Sequence, residues 1–100
     1  MSPHSPVARA LLRHAAANGL CAEVRADEAR PWASATFVGA RHALRLLFKP
    51  SPALDAWVAA LPETELPVRG GHLADLVVTD AAGSTSGVVL ALTALVIDEA

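Results

Sequence analysis

Hydrophobic positions along the chain follow two periods. After Ser5-Pro6, Val7, Leu11 and Ala15 recur at fours, with Ala8 and Leu12 beside them, which is the spacing of a helix. Serine is a good N-cap, and proline suits the first helical position because its missing N–H has no intrahelical partner there. Asn18-Gly19 supplies a C-terminal stop. The same punctuation recurs at Ser51-Pro52, followed by an apolar stripe of Leu54, Trp57, Val58 and Leu61, and Pro62 ends that helix.

Elsewhere the period is two. Ala22, Val24 and Ala26 alternate with Glu23, Arg25 and Asp27, which predicts a short, half-exposed and optional strand over 22–26. Residues 27–31 read as a turn or loop. Residues 32–40 and 41–48 read as two strands joined near Gly39. On the second of these His42, Leu44, Leu46 and Phe48 share one face, while Arg41, Arg45 and Lys49 share the other with Ala43 and Leu47. Pro67 and Gly70-Gly71 keep 62–71 irregular. A strand over 72–80, a polar hairpin loop over 81–87 and a last strand over 88–97 follow. That last strand is apolar on both faces apart from Thr93, so it belongs at the centre of its sheet with both sides covered.

The order α-β-β-α-β-β, with α-β-β units near 5–48 and 51–98 resembling a loose duplication, predicts an α+β two-layer sandwich. It is a mainly antiparallel four-stranded sheet with both helices on one face, forming a single domain over residues 1–100. The expected core comprises Leu11, Leu12, Leu44, Leu46, Phe48, Leu54, Trp57, Val58, Leu61, Leu76, Val78 and one face of 88–97.

Composition changes this picture at one point. With 53% apolar and only 18% charged residues, apolar surface remains after one core is filled, which points to self-association. The formal net charge of −2 gives no general attraction to nucleic acid or anionic membranes. Cys21 is the only cysteine, so no internal disulfide forms and a reducing compartment is expected. The first residues lack the pattern of a signal peptide, and 88–97 is too short to span a bilayer. A cytoplasmic protein follows. Abundant alanine, with arginine far outnumbering lysine, suggests a GC-rich bacterial genome.

Candidate chemistry is sparse. His4, His14, His42 and His72 show no metal-site spacing. If the strands begun by His42 and His72 are neighbours, the two imidazoles meet, and Asp75 or Asp80 is the available third ligand. Cys21 follows a helix end, where the dipole does not favour a thiolate, so it is expected to be a small, partly buried apolar residue. Gly83-Ser84-Thr85-Ser86-Gly87 offers backbone N–H groups to an anion but lacks the lysine and helix of a phosphate loop. Asp27-Glu28 and Glu63-Thr64-Glu65 are expected to be solvated loop charges. Arg41, Arg45 and Lys49 form a stripe that could contact an anion or nucleic acid, with salt bridges to Asp75 or Glu23 as the plainer role. Of the four aromatic residues, Trp57 and Phe48 belong to the core, while Trp32 and Phe37 face opposite ways on one strand, so no stacking platform accompanies the stripe.

No catalytic, metal or cofactor constellation emerges. The sequence therefore predicts a non-catalytic, self-associating protein, a homodimer in which a second copy covers the outward set of the last strand. Nucleic-acid binding through Arg41, Arg45 and Lys49 is the first alternative. A small-molecule pocket or enzyme site near His42 and His72 is the second.

Overall fold

Helix α1, Pro6–Ala17, begins where Ser5 takes an extended conformation and its hydroxyl accepts the Ala8 N–H at 3.2 Å. It ends in a Schellman motif. Gly19 adopts φ 77°, which glycine tolerates without a Cβ penalty, and the Leu20 and Gly19 N–H groups return to the carbonyls of Ala15 and Ala16. The motif drives Leu20 into the core and leaves the next residue, Cys21, in solvent. Cys21 is thus exposed, not the partly buried residue expected, because Leu20 occupies the inward position. The computed structural model describes residues 4–99.

Strand β1, Ala22–Ala33, is longer than the sequence suggested. It includes 27–31, whose Asp-Glu-Ala-Arg-Pro run reads as a loop. Pro31 is tolerated because β1 is an edge strand, where a missing ladder donor is least costly. The connection to β2, Val38–Phe48, lies at 34–37, not near Gly39. No glycine marks this turn. Ser34 closes it instead, its N–H donating to the Phe37 carbonyl at 2.8 Å and its hydroxyl accepting the Phe37 N–H at 3.1 Å. Trp32 and Phe37 therefore stand on either side of a turn and do not share a strand.

Helix α2, Pro52–Ala60, repeats the Ser-Pro start, with the Ser51 hydroxyl accepting from Leu54 N–H. It runs into a 3₁₀ turn at Leu61–Glu63, so Pro62 tightens the end of the helix without stopping the chain abruptly. Strand β3, Gly71–Ser84, and strand β4, Gly87–Asp98, are joined by the two residues Thr85-Ser86. The predicted seven-residue loop thus shrinks to a tight hairpin. Gly87 takes φ 135°, and a Cβ there would run into the Phe48 carbonyl.

Among the described residues the strands form one antiparallel sheet in the order β1-β2-β4-β3. β4 is central, paired to β2 on one side and β3 on the other. Both helices pack on one face, giving the two-layer α+β sandwich. The order also makes α1-β1-β2 and α2-β3-β4 two similar halves about the β2/β4 seam. Leu44, Leu46 and Phe48 of β2 and Leu90, Leu92, Ala94 and Val96 of β4 are buried with Val7, Leu11, Leu54, Trp57 and Leu61. Leu12, Val58 and Val78 are only half-buried. Trp57 joins three elements: its indole N–H donates to His14 Nδ1 at 2.7 Å, and its ring lies 5.3 Å from that of Phe48.

A β-bulge at Arg25 shifts the phase of β1, so Ala26 pairs with Arg45 and Asp27 with the buried Leu44. Simple alternation would have sent Asp27 outward. The bulge turns it to the helix side, where its carboxylate accepts the Ser5 N–H at 2.8 Å and the Ser5 hydroxyl at 3.0 Å. Asp27 is therefore no free loop charge; it ties the N-terminus of α1 to the sheet, at the end where helix geometry leaves N–H groups unpaired. Replacing Asp27 by alanine should cost about 1–2 kcal/mol in urea unfolding, the usual loss for a charge-assisted cap. Ser5→Ala should cost less in the Asp27→Ala background than in the wild type, and additive losses would show that the two residues act separately.

Candidate functional site: the open face of the sheet

The face of the sheet away from the helices carries the candidate chemistry, and the pairing register sorts it into rows. One row runs Arg30, Arg41, Leu95, Asp75 from β1 to β3. The next runs Glu28, Ala43, Thr93, Val77, and a third runs Ala26, Arg45, Ala91, Asp80, with the bulged Arg25 beside Ala26. Beyond them Glu23, Leu47, Val89 and Ala82 form another row. Val89, Ala91, Thr93, Leu95 and Ile97 of β4 are half-buried by the flanking strands alone, and Val77 is 43% exposed. A shallow groove crosses the middle rows, lined by Arg25, Glu28, Arg45, Thr79, Ala91 and Thr93 among others.

Charge on this face is divided. Arg25, Arg30, Arg41 and Arg45 lie on β1 and β2, whereas Asp75 and Asp80 lie on β3. Glu28 sits among the arginines, and Glu23 is 3.7 Å from Arg25 in an exposed ion pair. Of the predicted stripe, Arg41 and Arg45 face outward on β2 and Lys49 lies just past its end, all exposed. Asp75 is two strands from Arg41, so the sheet separates the charges that sequence reasoning paired, and Glu23 pairs with Arg25. The Thr79 hydroxyl donates to the Ala91 carbonyl at 3.1 Å within the chain.

The structure does not bring His42 and His72 together. β4 lies between their strands, His42 points into the helix layer, and His72 is exposed opposite Ile97. A pocket shared by the two does not form. Among the described residues no group of three or more His, Cys, Asp or Glu is gathered as for a metal. The 83–87 segment spends its backbone on the hairpin, with Gly83 paired to Val88 and Ser84 to Gly87, so it forms no anion-binding loop. An apolar cleft between α2 and the β3–β4 hairpin, lined by Pro50, Leu54, Val58, Val88 and Leu90, includes Asp55 as its one titratable group. Glu63 and Glu65 are exposed beyond α2. No family model, curated protein or solved structure matches the chain. Among the described residues no helix is long and apolar enough to cross a membrane.

His42 is the polar side chain that the sequence placed on an apolar face, and it is buried there, 8% exposed. Its Nδ1 has no hydrogen-bond partner among the described residues. Burial pushes its pKa below the ordinary 6.5, and the nearby Asp27 carboxylate opposes that shift more weakly. The imidazole is therefore neutral at pH 7. Above pH 6.5 both folded and unfolded chains hold it neutral. As the pH falls below that value the unfolded chain takes up a proton that the folded chain resists, so stability is lost until the folded pKa is passed. In His42→Leu the fall in stability between pH 7 and pH 5 should be shallower than in the wild type by urea unfolding. Identical slopes would mean that His42 takes up its proton alike in the folded and unfolded chains.

Proposed function

We propose that the chain is a non-catalytic, self-associating protein that works by protein–protein interaction, its open sheet face covered by a second copy of itself. The observation that carries this reading is the outward set of β4, apolar apart from Thr93, at the centre of a sheet with no second layer over it among the described residues. Burying each Val, Leu or Ile contributes roughly 1.5–3 kcal/mol, so leaving this set wet forfeits considerable stabilisation. Two-fold dimers are the commonest assemblies. The exposed single thiol of Cys21 suits the reducing cytoplasm of a bacterium, which the composition favours.

The arginines of β1 and β2 favour nucleic acid as the alternative occupant of the same face. Trp32 shares that face, in the row Trp32, Gly39, Ile97 and His72 beside the arginines, but Glu28 among them and Asp75 and Asp80 across from them oppose it. A ligand pocket has less support, since the two histidines that suggested one stand on opposite sides of the sheet.

Solution mass tests the proposal. The wild-type protein should scatter light as a dimer at micromolar concentration. Leu95→Asp, a charge in the outward set, should give a monomer with an unchanged circular dichroism spectrum or an unfolded chain. Thr85→Asp, the same charge in the β3–β4 turn, should do neither. A wild type that stays monomeric at high micromolar concentration overturns the reading, and a mass shift only on adding RNA or DNA, lost at high salt, replaces it with the alternative.

A further inference from the structure

We infer that the second copy docks with the two-fold axis running along the strands, so that the basic β1–β2 half of each sheet covers the acidic β3 edge of the other. This rests on the self-association reading and fixes the geometry that it leaves open. Sheets packed face to face in the aligned manner keep their strands within about 30° of each other. A two-fold axis in the interface then runs either along the strands or across them.

The rows distinguish the two. With the axis along the strands and over the β2/β4 seam, each row meets itself reversed. Arg30 then stands opposite Asp75 of the second copy, Arg41 opposite Leu95, and the Arg25 bulge opposite Asp80, twice over by symmetry. With the axis across the strands and through the Glu28–Val77 row, every strand meets its own counterpart. The Arg30–Arg41 row falls on the Arg45 row, Asp75 falls near Asp80, and Glu28 falls on Glu28. Every close charge pair in that arrangement is repulsive, and like charges brought together in a partly dried interface are strongly disfavoured. Ala43, Ala91 and Thr93 occupy the middle of the face, small enough for the sheets to approach there. The footprint is adequate. Four strands at about 4.8 Å and ten residues at about 3.4 Å cover on the order of 600 Å² in projection, near the size of a standard interface.

Cross-linking reads the axis directly. Glu28 and Val77 lie on the outer strands of one row, so the two arrangements place them far apart or face to face. In a Cys21→Ser background, Glu28→Cys and Val77→Cys proteins are treated with a short bis-maleimide, separately and after equilibration together. The inferred geometry gives covalent dimer in the mixture and none in either protein alone. It also gives a wild-type dimer that loosens about tenfold or more as salt is raised. Covalent dimer in each single-cysteine protein, with a dimer that tightens in salt, places the axis across the strands and overturns the inference while self-association stands. A dimer with no cross-link in any sample puts the interface elsewhere and also overturns it. A wild type that is monomeric at every concentration fails the underlying reading itself.

Discussion

The fold depends on one strand that is apolar on both sides. β4 can hold Leu90, Leu92, Ala94 and Val96 against the helices only by lying at the centre of the sheet. There each neighbour shields part of it, and β2 matches it with Leu44, Leu46 and Phe48. The two Ser-Pro starts place short helices over this seam, and Trp57 locks them to each other and to Phe48. A strand with an alternating pattern would have needed cover on one face only. This one brings a second apolar set to the opposite face, and the proposed association surface follows directly from the stabilisation of the core.

The local chemistry of β1 serves the same layer. A single bulged residue, Arg25, inverts the alternation and delivers Asp27 to the start of α1. The bulge thus fixes a helix to a sheet edge that otherwise offers little apolar surface, with Ala26, Glu28, Ala29 and Arg30 all small or charged. Near that cap lies His42, kept neutral by burial, whose protonation would place a second charge under the helix layer.

Much of this was legible in the sequence. Helical spacing after each Ser-Pro pair, the central position of 88–97 and the inward set of 42–48 all follow from periodicity and are present in the structure. What was not legible depends on contacts between distant segments. Residues 27–31 look like a loop because charge and proline dominate them, yet pairing with β2 holds them as strand. The turn at 34–37 lacks glycine and is closed by a serine side chain. The face of Asp27 cannot be read without knowing of the bulge, and a bulge is settled by register, not by composition. The opposed faces of His42 and His72 likewise follow from register, and their separation from strand order, with β4 inserted between β2 and β3. On the open face the sequence showed Arg41 and Arg45 as a stripe, but the division into a basic half and an acidic edge appears only when rows are read across four strands.

The edges of the sheet suit the proposed association less well than its face does. A free edge strand invites pairing with another chain, and proteins block this with bulges, proline and charge. β1 carries the Arg25 bulge, Pro31 and five charged residues. β3 carries bulges at Ala74 and Thr79, each followed at once by an aspartate. Both edges are therefore irregular and carry charge beside their bulges, poor templates for continuing the ladder. The face between them is regular in β2 and β4, small-sided at its centre and apolar along β4. An edge-paired assembly would have to align broken ladders while leaving that apolar set in water. Face-to-face packing removes the set from water, leaves the edges solvated, and uses the edge charges as the elements that fix orientation.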